Sequence, residues 1–337
     1  MGGNCLKNIE TRRYTADEYY KIRCRVTDRL ESLFPLCRIH VLRAYRNKES
    51  YGDMDVLIDS KFLPQNYVEE ILEEFGCNDH VKNGNCLSFD YRQFQIDLIA
   101  TKPEEFNTSK EYYAWSDLGN LLGRIAHSMG LKLGHDGLSY NWRIDTYQFK
   151  NEVLLTEFKD ILPVLGYSWE RYKKGFDTLQ DIFEFVVSSP FFNKDIFMLH
   201  NRNNAARTRD RKRKTYMEFL KWLETRDDLE SYPKAAHKDD WLPFLFSRIK
   251  GFEETYQRVK IEWNNAVEYK RKFNGDIVKE YTGLEGKELG VFMQWVKRFE
   301  YHDENYAFYE AWVLEHDESE IKERILELFV WYQKYGC

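Results

Sequence analysis

Three aspartates stand inside or at the mouth of strongly apolar runs. Asp53 and Asp55 open GDMDVLID (52–59), and Asp97 lies within FQIDLIA (94–100). In a strand, residues i and i+2 project to the same face, so Asp53 and Asp55 would stand side by side. Carboxylates held that close repel and raise each other's pKa. A divalent cation removes the repulsion. Mg²⁺ typically binds through one or two carboxylates plus substrate phosphates. If the strand with Asp97 neighbours the first, the three acids form a cluster suited to two metals about 3.5–4 Å apart, an arrangement that stabilises the attacking and leaving oxygens of a phosphoryl displacement. A basic loop, RNKESYG (46–52), runs into the first pair and adds Arg46, Lys48, Ser50 and Gly52 to the candidate residues.

The elements that would position these groups are readable from periodicity. Thr15 is a good N-cap for an amphipathic helix over 15–34 that carries Tyr19, Ile22, Val26, Leu30 and Leu33 at helical spacing and ends at Pro35. RIHVLRAY (38–45), MDVLID (54–59), CLSFDY (86–91) and FQIDLIAT (94–101) read as strands, and NYVEEILEEFG (66–76) as a helix closed by Gly76. SDLGNLLGRIAHSMG (116–130) is a helix followed by a hairpin at 131–142. Beyond about residue 150 helical segments dominate, near 155–164, 177–188, 204–226, 250–273, 285–299 and 317–335. The expected fold class is α+β: a mixed sheet with flanking helices over 1–150, then a mainly helical domain over 151–337. No Gly/Ser-rich linker marks that boundary.

Composition bounds the rest. The chain has 337 residues, 43% of them hydrophobic, which suits a packed globular protein rather than a disordered one. No stretch approaches the ~18 apolar residues of a membrane span. Lys7, Arg12 and Arg13 flank no apolar segment, so no secretory leader is expected. The six cysteines show no metal-ligand spacing and read as reduced thiols, so an intracellular protein, cytoplasmic or nuclear, is expected. A net charge of −6 disfavours indiscriminate nucleic-acid binding, because the phosphate backbone rewards positive charge. Positive charge is nevertheless concentrated in NRNNAARTRDRKRKTY (201–216). Arg202, Arg207, Arg209, Arg211, Lys212, Arg213 and Lys214 there face a single acid, Asp210. Such a run is either a solvated face or a phosphate grip.

RNKESYGDMDVLID (46–59) resembles the catalytic core of family X DNA polymerases, the DNA polymerase beta type of nucleotidyltransferase. The resemblance continues in order through RQFQIDLIA (92–100), EYYAWSDLGNLLGR (111–124) and LKLGHDGLSY (131–140), and covers about 38–143. It implies a nucleotidyltransferase palm and nucleotidyl transfer from a (d)NTP to a nucleic-acid 3′-hydroxyl. Two Mg²⁺ or Mn²⁺ ions would be held by Asp53, Asp55 and Asp97, with primer/template DNA as the partner. By the same resemblance Arg46 would contact the triphosphate, Tyr113 would lie against the sugar, and Asp117 and Asn120 would lie near the incoming base. Arg124 would lie near the templating strand.

Two features depart from that family. Leu42 and Arg43 stand where it has Gly-Ser, so phosphate binding would lean on Arg43, Arg46 and Lys48. Fewer than 45 residues precede the core, too few for the usual N-terminal lyase and helix-hairpin-helix modules. Residues 207, 209 and 211–214 are then the candidate replacement grip. Two other readings stay open: a template-independent nucleotidyltransferase acting on an RNA or DNA end or another acceptor, and a non-catalytic nucleic-acid-binding or toxin–antitoxin partner.

Overall fold

The computed structural model describes residues 5–145, 147–229, 238–298 and 309–335, and is a mixed α+β protein. The chain begins with β1 (Tyr14–Thr15) and α1 (Ala16–Leu33). Thr15 caps α1 through a capping box, its hydroxyl accepting the Glu18 N–H while the Glu18 carboxylate accepts the Thr15 N–H, an arrangement worth about 0.5–2 kcal/mol. Tyr19, Ile22, Val26 and Leu30 are the buried face. Full burial of a side chain the size of Val26 or Leu30 stabilises by about 1.5–3 kcal/mol.

A five-stranded mixed sheet in the order β2-β4-β7-β6-β5 follows. Its strands are β2 (Ile39–Val41), β4 (Asp53–Asp59), β5 (His80–Asn83), β6 (Cys86–Tyr91) and β7 (Phe94–Thr101). The short β3 (Ser50–Tyr51) pairs with β1 instead. Between β4 and β5 lies α2 (Tyr67–Phe75), closed by Gly76 in the left-handed region at φ 62°. Met54, Val56 and Ile58 of β4 and Phe94, Ile96 and Leu98 of β7 join α1 and α2 in one core.

Next come α3 (Phe106–Tyr112), α4 (Leu118–Ser128), β8 (Leu131–Gly134), β9 (Gly137–Ile144) and β10 (Tyr147–Leu155). The last three form a sheet in the order β10-β9-β8. Then follow α5 (Phe158–Val164), α6 (Trp169–Lys174), α7 (Leu179–Val186), α8 (Asn204–Arg211), α9 (Lys214–Glu224) and α10 (Leu242–Arg248). The remainder is helical: α11 (Phe252–Lys272), α12 (Gly275–Thr282), α13 (Gly286–Arg298), α14 (Tyr309–Glu315) and α15 (Glu318–Tyr335).

The chain divides into two compact units. One comprises residues 1–141 and 151–250, the other 142–150 and 251–337. This differs from the boundary expected near 150. Helices α5 to α10 fall in the same unit as the sheet, and the ion pairs Arg46–Asp177 and Arg124–Asp210 join residues after 150 to residues before it. The second unit has its own core of Phe273, Val278, Phe292, Val296, Val313, Ile321, Ile325 and Leu328.

Three further differences have local causes. The strand expected over 38–45 is only β2, because the chain leaves the sheet after Val41 to form a loop fastened elsewhere. The helix expected over 204–226 is two, broken where Arg213 adopts extended backbone at φ −92°, ψ 105°. Strand β10 was not anticipated, its residues falling between the expected hairpin and helix. The helix expected over 285–299 is α13, residue 299 lying outside the described residues. Among the described residues no helix is long and apolar enough to cross a membrane. Cys5, Cys24, Cys37, Cys77 and Cys86 are free thiols, and Cys337 lies outside the described residues.

Candidate active site

Alternation along β4 turns Met54, Val56 and Ile58 into the core and leaves Asp53 and Asp55 on the other face. Strand β7 repeats the pattern with Gln95 and Asp97. The two strands pair in parallel with Asp53 opposite Gln95 and Asp55 opposite Asp97. Neighbouring strands lie about 4.8 Å apart, so Asp55 and Asp97 are adjacent on one face. On the far side of β7, Ser88 of β6 stands opposite Asp97. Gln95 is buried, and its Nε2 donates to both Asp97 oxygens at 2.9 and 3.1 Å.

The cluster has the electrostatics of crowded acids. Burial, then Asp53 and then Asp97, push the Asp55 carboxyl up to about 7. Asp97 is also raised, by burial first, against the stabilising influence of neighbouring Ser88 and of the hydrogen bonds from Gln95. Among the described residues no three His, Cys, Asp or Glu side chains converge closely enough to hold a metal ion as placed. The donor chemistry nonetheless suits a hard divalent cation: three carboxylates on adjacent strands, with Asp55 and Asp97 in a setting that penalises their charge.

The crowding predicts a pH dependence. An unfolded aspartate titrates near ~4. Between there and 7 the folded chain holds a proton on Asp55 that the unfolded chain has lost. Stability of the metal-free protein therefore falls as pH rises through that window, and the penalty persists above it. Asp55→Asn should flatten this part of the profile. In chelator, its melting temperature should exceed wild type at pH ~7.5, with the gap closing toward pH ~4. An unchanged profile would show that Asp55 is not strained.

The basic loop serves two ends. Lys48 lies within the field of Asp53 and Asp55, which counters the lowering of its pKa by burial. Its Nζ sits 4.6 Å from the Tyr51 ring centre, and Tyr51 stacks on Tyr19 of α1 at 3.7 Å, so α1 supports Lys48. Arg43 forms an ion pair with Glu111 and lies 4.9 Å over the Trp115 ring. Arg46 turns away from the acids, pairing with Asp177 and donating to the Lys174 carbonyl at 2.9 Å. The backbone is fastened to the same segment, Arg46 N–H to Phe176 O at 3.0 Å and Asn47 N–H to Asp177 O at 2.8 Å. Gly175 is required there: its φ is +72°, and a Cβ would fall 2.7 Å from the Trp115 ring. Ser50 accepts from Arg13 at 3.1 and 3.2 Å, and Gly52 is buried between β3 and β4.

The segment expected beside the nucleotide is largely engaged internally. Tyr113 stacks on His135 at 6.1 Å, and burial pushes its hydroxyl up to about 12. Asp117 pairs with Arg213 and accepts a long 3.4 Å bond from Asn120. Arg124, expected near a templating strand, is instead buried. Its Nη2 donates to both oxygens of fully buried Asp210 at 2.8 and 2.7 Å. Arg202 and Arg209 approach the same carboxylate at 3.6 and 3.8 Å. The basic run is thus divided. Arg202, Arg209 and Arg213 turn toward acids. Among the described residues no ion pair or side-chain hydrogen bond engages Arg207, Arg211, Lys212 or Lys214, and the last three are exposed.

Sequence reading missed Gln95, Ser88 and Glu111. Gln95 and Ser88 carried a signal, as polar residues inside apolar strands. Glu111 carried none, since only the fold brings it to Arg43. No protein-family model matches this chain, and no curated protein matches it.

Proposed function

We propose that the chain is a nucleotidyltransferase, moving a nucleotide from a nucleoside triphosphate to the 3′-hydroxyl of a nucleic acid. The observation that carries this reading is the parallel register of β4 and β7, which sets Asp55 beside Asp97 with Asp53 on the same face. In this reading Asp53, Asp55 and Asp97 would hold Mg²⁺ or Mn²⁺. The bound ions supply Lewis-acid stabilisation of the charge that develops on the transferring phosphoryl group. Asp97, held by Gln95 and with its proton affinity raised, accepts the hydroxyl proton. The 3′-oxygen then bonds to the α-phosphorus while the α–β anhydride breaks and pyrophosphate leaves. Lys48 provides positive charge beside the acids for the triphosphate. The exposed Arg211, Lys212 and Lys214 provide phosphate contacts outside the centre.

Transfer without a template is a second reading of the same site, favoured by the burial of Arg124 on Asp210 and the pairing of Asp117 with Arg213. While those pairs stand, Arg124 is not free to meet a template strand, nor Asp117 an incoming base. The test is a labelled DNA or RNA primer, with and without template, offered each dNTP or NTP with Mg²⁺ or Mn²⁺. Addition that needs the cation and stops with chelator is the expected result. Addition to a bare primer selects the second reading. No addition under any combination would refute both.

A further inference from the structure

The amino-terminal strap, residues 5–15, is tied to the edge of the catalytic sheet by a continuous set of hydrogen bonds that ends on Asp97. Asp90 accepts the Asn78 and Asp79 N–H groups at 2.7 and 2.8 Å, fixing the loop before β5. The Asp79 carboxylate in turn accepts the N–H groups of Lys7 and Asn8 at 2.9 and 2.8 Å and the Asn8 side-chain amide at 2.9 Å. These bonds hold Asp79 below the ordinary carboxylate range. Leu6 is buried beside them. One residue further back, the Cys5 N–H donates to Gln95 Oε1 at 3.0 Å, and Gln95 Nε2 donates to Asp97. At the other end of the strap, Arg12 N–H and the Tyr14 hydroxyl donate to the carbonyls of Gln93 and Arg92 at 2.8 and 2.7 Å. Those two residues form the β6–β7 turn, both with positive φ, 53° and 62°.

We infer that Gln95 is a positioning residue for Asp97, and that the strap holds Gln95 in the only orientation that works. The chemistry is directional. A carboxylate is acceptor-only, so Gln95 must present its NH₂ to Asp97. With no donor on Oε1 the amide could turn over and present oxygen to oxygen. The Cys5 N–H forbids that turn. The strap therefore belongs to the active centre through the backbone N–H of Cys5. Asp79 acts at one remove, by holding residues 7 and 8.

The inference rests on the nucleotidyl-transfer reading, and its test separates the two. Gln95→Met keeps the side-chain volume and removes all three hydrogen bonds of the Gln95 side chain. Asp79→Ala releases the strap without touching Gln95. Primer extension gives kcat and KM for the nucleotide, and Mn²⁺ binding to the metal-free protein is measured by calorimetry. Groups that orient metal ligands are typically worth about 10–100-fold in affinity or activity. Gln95→Met should therefore lower kcat and Mn²⁺ affinity by about that factor with little change in KM. Asp79→Ala should change both in the same direction by less. Gln95→Glu, which keeps the acceptor for Cys5 but loses the donor to Asp97, should not restore kcat. A wild-type protein active and binding Mn²⁺, with Gln95→Met and Asp79→Ala equal to it, overturns the inference alone. A wild-type protein that neither transfers nucleotide nor binds Mn²⁺ overturns both. If Gln95→Met does not fold, Asp79→Ala decides the matter on the same two readouts.

Discussion

Replacing Asp97 with asparagine or alanine is expected to lower nucleotide addition about a thousandfold and leave the fold standing. Stabilisation of transferring phosphoryl charge by bound cations is worth several kcal/mol, and each 1.36 kcal/mol is a factor of ten in rate. The two variants should separate in stability. Asp97 is one of the causes that raise Asp55, so removing its charge relieves a repulsion. Alanine also leaves the Gln95 amide without its acceptor, and a buried polar group so orphaned costs about 1–3 kcal/mol. Asparagine keeps an oxygen for Gln95. In chelator Asp97→Asn should therefore melt at or above the wild-type temperature, and Asp97→Ala at or below it. Single-turnover primer extension measures the rate, and thermal unfolding followed by circular dichroism measures the rest. Near wild-type extension by either variant would remove Asp97 from the catalytic role.

The legible part of the fold is the part governed by short-range periodicity. Strands β4 and β7 could be read because apolar residues alternate or run together over lengths typical of strands. Helix α1 could be read because Thr15 and Glu18 form a capping box at its start. The carboxylates were conspicuous for the opposite reason, since acids inside apolar strands contradict burial and ask for a function. Gln95 was as conspicuous in principle, two residues before Asp97 and on the same face, but a neutral side chain raises no electrostatic question.

What stayed hidden depends on partners far along the chain. Spacings of three and four placed Asp117, Asn120 and Arg124 on one side of α4, but helical spacing cannot say what covers that side. Asp210 of α8 and Arg213, just before α9, meet Arg124 and Asp117 there. The bond from Arg124 to Asp210 spans 86 residues and that from Arg46 to Asp177 spans 131. The same long-range pairs carry the unit boundary past residue 150, where no change in loop composition could have revealed it. Asp210 did leave a trace, as the single acid in a run of cations. A solvated basic face has no need of one, whereas a buried guanidinium does.

That difference leads to the second large effect, on stability. Asp210 is wholly buried and faces three guanidinium groups, of which Arg124 is buried with it and Arg202 is 14% exposed at the side chain. Removing one partner of a buried ion pair typically costs about 3–5 kcal/mol, because the remaining charge is left uncompensated in a poor solvent. Asp210→Ala should destabilise the protein by about that amount in urea unfolding. The arrangement is asymmetric, with several cations on one acid, so the reverse deletion is milder. In Arg124→Met the carboxylate still has Arg202 and Arg209 within reach, and only packing and one bidentate contact are lost. The double variant Arg124→Met, Asp210→Leu removes both charges and should recover much of what Asp210→Ala loses, since well-packed apolar replacements for buried pairs are often neutral. If Arg124→Met were the more damaging single change, Asp210 would not be the hub. The orientation of α8, and with it the exposed Arg211, would then have to be set by the burial of Ala206.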